Sequence, residues 1–274
     1  MSKEPESPKQ EHGEQEEPLP FGEHVEEVSE NGRKVRHKGV HLLPNLFTTG
    51  ALFCGFYAIV SAMHGNFENS AVAIFVAMLL DGMDGRIARL TNTQSAFGEQ
   101  YDSLADVVSF GVAPALVMFS WALHDLGKWG WAAAFIYTAC AALRLARFNT
   151  QIGVVDKKFF VGLASPPAAA VLASIVWTWH RSEIGSFGAV PAAVITAIVG
   201  LLMVSNLRYP SFKGVDFRGR VPFVMMLAVV FVFAVLLIDQ ARTLLVMSVT
   251  YALSAPLIWC WRLVFSRNKT SRSQ

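Results

Sequence analysis

From residue 46 onward the chain alternates long apolar stretches with short polar ones, and eight of those stretches approach the length that a bilayer demands. They fall at 46–64, 69–90, 97–122, 129–149, 161–180, 187–205, 220–239 and 242–262. A helix needs about 20 mostly apolar residues to cross the hydrocarbon core, and apart from a closed barrel no other structure satisfies its backbone there. The expected fold class is therefore an all-α polytopic membrane protein of about eight transmembrane helices. Composition agrees: 53% of the 274 residues are hydrophobic and only 16% are charged, which lies outside the soluble range.

Charge sets the orientation. With the N-terminal tail in the cytoplasm, all but three of the 23 Lys and Arg residues fall on the cytoplasmic side, the exceptions being Lys128, Arg181 and Arg242. Cytoplasmic loops carry such an excess, and removing one central span would destroy it, so an even number of spans with both termini inside is expected. Residues 1–30 hold ten of the 21 acidic residues, and 1–32 reads as a disordered acidic cytoplasmic tail. Residues 33–44 are basic and then apolar, which suits a short interfacial helix on anionic lipid or an ordinary positive-inside flank. No leader pattern stands near residue 1, so the first span is expected to be retained. Trp121, Trp129, Trp131, Trp177, Trp179, Trp259 and Trp261 lie near expected helix ends and read as interfacial anchors. Cys54, Cys140 and Cys260 read as packing residues, and the seven histidines show no metal-ligand spacing.

One stretch breaks the apolar monotony. In the second span Asp81, Asp84, Gly85, Ala88 and Arg89 stand at i, i+3, i+4, i+7 and i+8, one helix face. In the third, Gly98, Asp102 and Asp106 again share a face. With Thr91–Ala96 as the turn of an antiparallel helix pair, 81 falls level with 106, 84 or 85 with 102, and 89 with 98. Four carboxylates then face one another in two tiers, about 14 Å and about 8 Å in from the cytoplasmic turn. Ionisable groups at membrane depth are costly and mark function, and four of them require countercharge. Hard, all-oxygen ligation suits Mg²⁺ or Mn²⁺, and two divalent ions about 3.5–4 Å apart would balance four carboxylates. Gly85, Ala88 and Gly98 are small enough to let the helices approach and to leave room for a ligand. Arg89, beside Gly98, and Arg86 offer planar forks for phosphate.

Written out, the array is Asp-x2-Asp-Gly-x2-Ala-Arg-x8-Gly-x3-Asp-x3-Asp, and it is similar at every fixed position to the signature of the CDP-alcohol phosphatidyltransferases. LPNLFTTGALFCGFYAI (43–59), SFGVAPA (109–115), LRLARFN (143–149), GLASPPAAA (162–170) and SNLRYPSFKG (205–214) resemble segments of one branch, the bacterial phosphatidylserine synthases. The resemblance implies transfer of the phosphatidyl group of CDP-diacylglycerol to the hydroxyl of L-serine with release of CMP. It implies Asp81, Asp84, Asp102 and Asp106 as metal ligands, Asp106 also as general base, and Gly85, Arg89, Ser95 and Gly98 at the CDP-lipid, although Ser95 also reads as a cap of the third helix.

The serine carboxylate calls for a cation, for which Arg144, Arg147 and Asn149 are the candidates, with Arg208 a second choice. Residues 45–215 are the expected catalytic unit. Residues 216–264 then hold two additional helices that read as plain scaffold, and 265–274 a basic cytoplasmic tail. The resemblance further implies the bacterial inner membrane, membrane lipids as partners, no nucleic acid, and a homodimer, the family's frequent assembly. The rival readings are the same chemistry with glycerol 3-phosphate, an inositol compound or choline as acceptor, and an ion-coupled transporter. A transporter would spread its acids over several broken helices near the midplane, whereas here they are confined to one hairpin.

Overall fold

The apolar stretches become helices in the computed structural model, which describes residues 25–30, 33–38, 42–91, 95–150, 159–182, 185–210 and 223–270. Two strands, β1 (Val25–Glu30) and β2 (Arg33–Lys38), precede α1 (Leu42–Met63) and α2 (Phe67–Leu90). The third rod is composite: α3 (Ala96–Asp106), a π-helical stretch Val107–Val112, α4 (Ala113–Met118), a second π-helical stretch Phe119–Leu123 and a 3₁₀ turn His124–Leu126. Then follow α5 (Lys128–Thr150), β3 (Phe159–Val161), α6 (Ser165–Trp179), α7 (Ser186–Val204), β4 (Arg208–Pro210), α8 (Phe223–Ile238) and α9 (Gln240–Thr270).

Among the described residues the helical rods stand where the eight spans were expected. Four of them contain stretches long and apolar enough to cross a membrane, Asn45–Met63, Phe97–Leu126, Phe187–Val204 and Gln240–Trp261. The others fall short for physical reasons. The acids and arginines of the candidate site interrupt α2, Arg144 interrupts α5, and α6 and α8 have 15 and 16 residues.

The third rod is the axis of the bundle. It packs on α1, α5 and α6, while α2 lies along α1, α7 along α5, and α9 along α6. The interfaces are made of small side chains, Ala58, Ala71, Ala77, Ala113, Ala141 and Ala168 among them, all buried, as expected where lipid supplies no hydrophobic drive and close packing must. A Cβ on Gly55 would lie 2.8 Å from the Cα of Ser109, so glycine there lets α1 touch the first π-helical stretch. A π turn disturbs the ordinary i to i−4 ladder. Here the hydroxyl of Tyr137 donates to Phe110 O at 3.0 Å and that of Thr138 to Gly111 O at 3.4 Å, covering carbonyls of the irregular stretch from α5.

Several expectations are corrected. Residues 33–38 form a strand, not an interfacial helix, and pair antiparallel with β1 in a register that sets Glu27 opposite Arg36 and Glu30 opposite Arg33. That pairing also takes 25–30 out of the expected disordered tail. Residues 1–24, 39–41 and 271–274 lie outside the described residues. Pro44 falls inside the first turn of α1, where a proline lacks no helical partner. Trp121 is buried in the core and so is no interfacial anchor, whereas Trp129, Trp131, Trp179, Trp259 and Trp261 are exposed. A second short sheet, β3 with β4, joins the segments that follow α5 and α7.

Candidate active site

Asp81 and Asp84 stand on the second half of α2, and Asp102 and Asp106 on α3. Carboxylate oxygens of Asp81, Asp102 and Asp106 lie within 4.8 Å of one another. Asp81 interacts directly with Asp106, and Asp84 with Asp102. Asp84 is the most buried of the four and is held from α1. Its Oδ2 accepts from the hydroxyl of Thr48 at 2.9 Å, and its Oδ1 from the backbone N–H of Gly85. Asp84 therefore stands beside the triad, each oxygen accepting one hydrogen bond and keeping a lone pair for a further partner.

The buried Oδ1 of Asp102 has no hydrogen-bond partner. A buried acceptor left unpaired is costly, and three converging carboxylates add mutual repulsion. Hard anionic oxygens of this kind fit a divalent cation, and Asp81, Asp102 and Asp106 are the residues placed to hold one.

The small residues serve space more than contact. A Cβ on Gly85 would meet nothing within 4 Å, so the close helix approach expected there is absent and open space replaces it. Gly98 faces Ser95 and α1: a Cβ would come within 3.1 Å of Ser95 Oγ and 3.3 Å of Asn45 Oδ1. Ser95 is the N-cap of α3, its Oγ accepting from Gly98 N–H at 3.0 Å. Arg89 is exposed and its Nε donates to Gly85 O at 2.8 Å, while Arg86 is also exposed.

The three acceptor candidates part company. Arg144 points inward: its Nη1 donates to the buried Ser165 Oγ at 2.7 Å, and its charge is felt at Asp106. Its Nε is buried without a partner. Arg147 instead binds Asn206 Oδ1 at 3.0 Å, tying α5 to the end of α7. Asn149 Nδ2 donates to Ser103 Oγ at 3.0 Å, tying α5 to α3. The side chain of Arg208 lies outside the described residues.

Four residues of this region are not apparent from the sequence alone. Asn45 has a buried Nδ2 without a partner, Thr48 holds Asp84, Ser165 anchors Arg144, and Tyr251 of α9 lies within electrostatic reach of Arg144. Asn45, Thr48 and Thr49 stand at i, i+3 and i+4 on the first turns of an apolar helix, a polar face that spacing could have exposed. Ser165, shortly after a glycine and directly before two prolines, gives no such sign. Tyr251 stands on α9, one of the two helices expected to be plain scaffold.

Comparison with known proteins agrees with this geometry. The family model for CDP-alcohol phosphatidyltransferases matches residues 41–205. The chain is 34% identical over 237 residues to a CDP-diacylglycerol–serine O-phosphatidyltransferase of Helicobacter pylori, covering 85% of this chain and 98% of that protein. It is 34% identical over 174 residues to the Bacillus subtilis protein of the same name, covering 64% and 93%. The namesake in Methanocaldococcus jannaschii is 35% identical over 154 residues, covering 56% and 70%. With a carboxylate triad on the signature positions and a family match across more than half its length, the chain belongs to the CDP-alcohol phosphatidyltransferase family.

Proposed function

We propose that this membrane enzyme transfers the phosphatidyl group of CDP-diacylglycerol to the hydroxyl of L-serine and releases CMP, a step of phospholipid synthesis. The observation that carries the choice of acceptor is Arg144, a half-buried arginine within electrostatic reach of Asp106 whose buried Nε has no partner. One planar cation suits one carboxylate, and the relatives' names accord with serine.

Asp81, Asp84, Asp102 and Asp106 are the proposed ligands of one or two Mg²⁺ or Mn²⁺ ions. When bound, such ions neutralise the carboxylates and stabilise charge developing on the phosphates and on departing CMP. The rest falls to the chain itself. Arg144 holds the serine carboxylate and sets the hydroxyl toward Asp106, and Asp106 takes the hydroxyl proton as the serine oxygen forms its bond to the lipid-bearing phosphorus. A weak nucleophile needs that proton removed in the transition state. The bond from phosphorus to the CMP oxygen breaks, and CMP carries away the electron pair. The open space at Gly85 admits the nucleotide, Asn45 Nδ2 supplies a donor toward it, and Arg89 meets phosphate from the rim. Ser95 acts by fixing the start of α3. Arg147 and Asn149 support the pocket through their ties to α7 and α3.

We place the site and both termini on the cytoplasmic face of the bacterial inner membrane. The distribution of Lys and Arg supports that side, and serine and CMP exchange there. The test is an acceptor screen with purified enzyme, CDP-diacylglycerol and Mg²⁺ or Mn²⁺. CMP release is expected with L-serine. Release with glycerol 3-phosphate, an inositol compound or choline in its place overturns the choice, and ion flux in liposomes without CMP release overturns the class.

A further inference from the structure

Arg144 is anchored by the bond from its Nη1 to Ser165 Oγ, and an arginine with its Nε unpartnered is free to swing unless something walls it in. Ser165 opens α6, and α6 is also the seat of α9. The two helices are pinned by a hydrogen bond between Ser174 Oγ and Ser248 Oγ, both buried, at 3.2 Å. Ala252 and Ala255 of α9 are buried as well. Tyr251 thus sits on a helix fixed to the element that anchors Arg144.

It also packs against a second tyrosine. The fully buried Tyr209 of β4 donates its hydroxyl to Ala252 O at 3.0 Å, and its ring lies 5.6 Å from that of Tyr251 with a tilt of 36°. Tilted aromatic pairs at that distance attract beyond their buried area. Tyr251 also lies within electrostatic reach of the Arg144 guanidinium. Neither tyrosine belongs to the 41–205 stretch that the family matches.

We infer that Tyr251 is a positioning residue for Arg144, so that the C-terminal helix pair shapes the acceptor end of the site. In that role Tyr251 limits the swing of Arg144 toward α9 and leaves Asp106 to the acceptor. The inference rests on serine being the acceptor, and the experiment separates the two. Wild-type enzyme that releases no CMP with L-serine defeats the acceptor assignment before any variant is made.

Given serine-dependent release, Tyr251→Ala should raise the KM for L-serine about tenfold with the KM for CDP-diacylglycerol within about twofold. Tyr251→Phe, which keeps the ring, should restore most of the loss. In an Arg144→Ala background Tyr251→Ala should add nothing further to the serine KM, because residues acting through one group are not additive. Should the alanine variant fail to fold, Tyr251→Leu, which keeps apolar bulk, is read by the same ratio of KM values. A serine KM unchanged in the folded variant, equal rises in both KM values, or full additivity with Arg144→Ala overturns the inference.

Discussion

Asp106 and Arg144 divide the labour at the acceptor end, one taking a proton and the other holding a carboxylate, and each has its own kinetic signature. Asp106→Asn should lower CMP release by roughly 10²–10⁴-fold, the usual worth of a positioned base, while CDP-diacylglycerol binding by calorimetry stays measurable. Asp81→Asn should in addition raise the Mn²⁺ concentration needed for half-maximal activity. Arg144→Ala should chiefly raise the KM for serine, and an unchanged KM would return that arginine to charge topology. Thr48→Val keeps the shape but strips Asp84 of its donor, which at about 1–3 kcal/mol should lower the unfolding temperature measurably in detergent. The four aspartates were legible because charge inside an apolar helix is too costly to persist without a use. Thr48 and Ser165 were not, since a hydroxyl in a membrane helix is ordinary and only the neighbour it faces reveals its use.

At the scale of elements, helix positions were readable from hydropathy, while their internal irregularities were not. An apolar run reads the same whether its turns are α or π, and the carbonyls of Val107–Val112 that Tyr137 and Thr138 cover became visible only with α5 in place. Tyr137→Phe should therefore cost about 1 kcal/mol or somewhat more, read as a drop in thermal midpoint with no change of helix content. The short sheet of β3 and β4 also went unforeseen, because three-residue strands carry no period. Its junction depends on Gly162, whose φ is +80° and whose added Cβ would strike Met203 O. Gly162→Ala should destabilise by at least about 1–2 kcal/mol from backbone strain alone and, by shifting the start of α6, loosen Ser165 from Arg144. Thermal unfolding together with the serine KM checks both.

For the molecule as a whole, the acidic array and the basic loops point to one face in the sequence itself. What sequence spacing could not supply was which distant helices close the site, because α1 and α9 reach it through packing. The orientation has its own test: a reporter active only in the cytoplasm should work when fused to either end, and a reporter active only outside should fail at both. The π-helical stretch bears on inheritance as well. A π turn holds one residue more than an α turn, so losing a single codon between Val107 and Val112 would let the rod relax to an ordinary helix. Because a π turn and an α turn each complete one revolution, the faces before and after the loss would stay in register. Such a gene would still encode Asp102 and Asp106, in an unbroken signature and on the face that meets Asp81. A codon lost from an ordinary α turn of the same rod would instead rotate its two parts by roughly 100°, so the π-helical stretch is where this rod can change length and keep its faces.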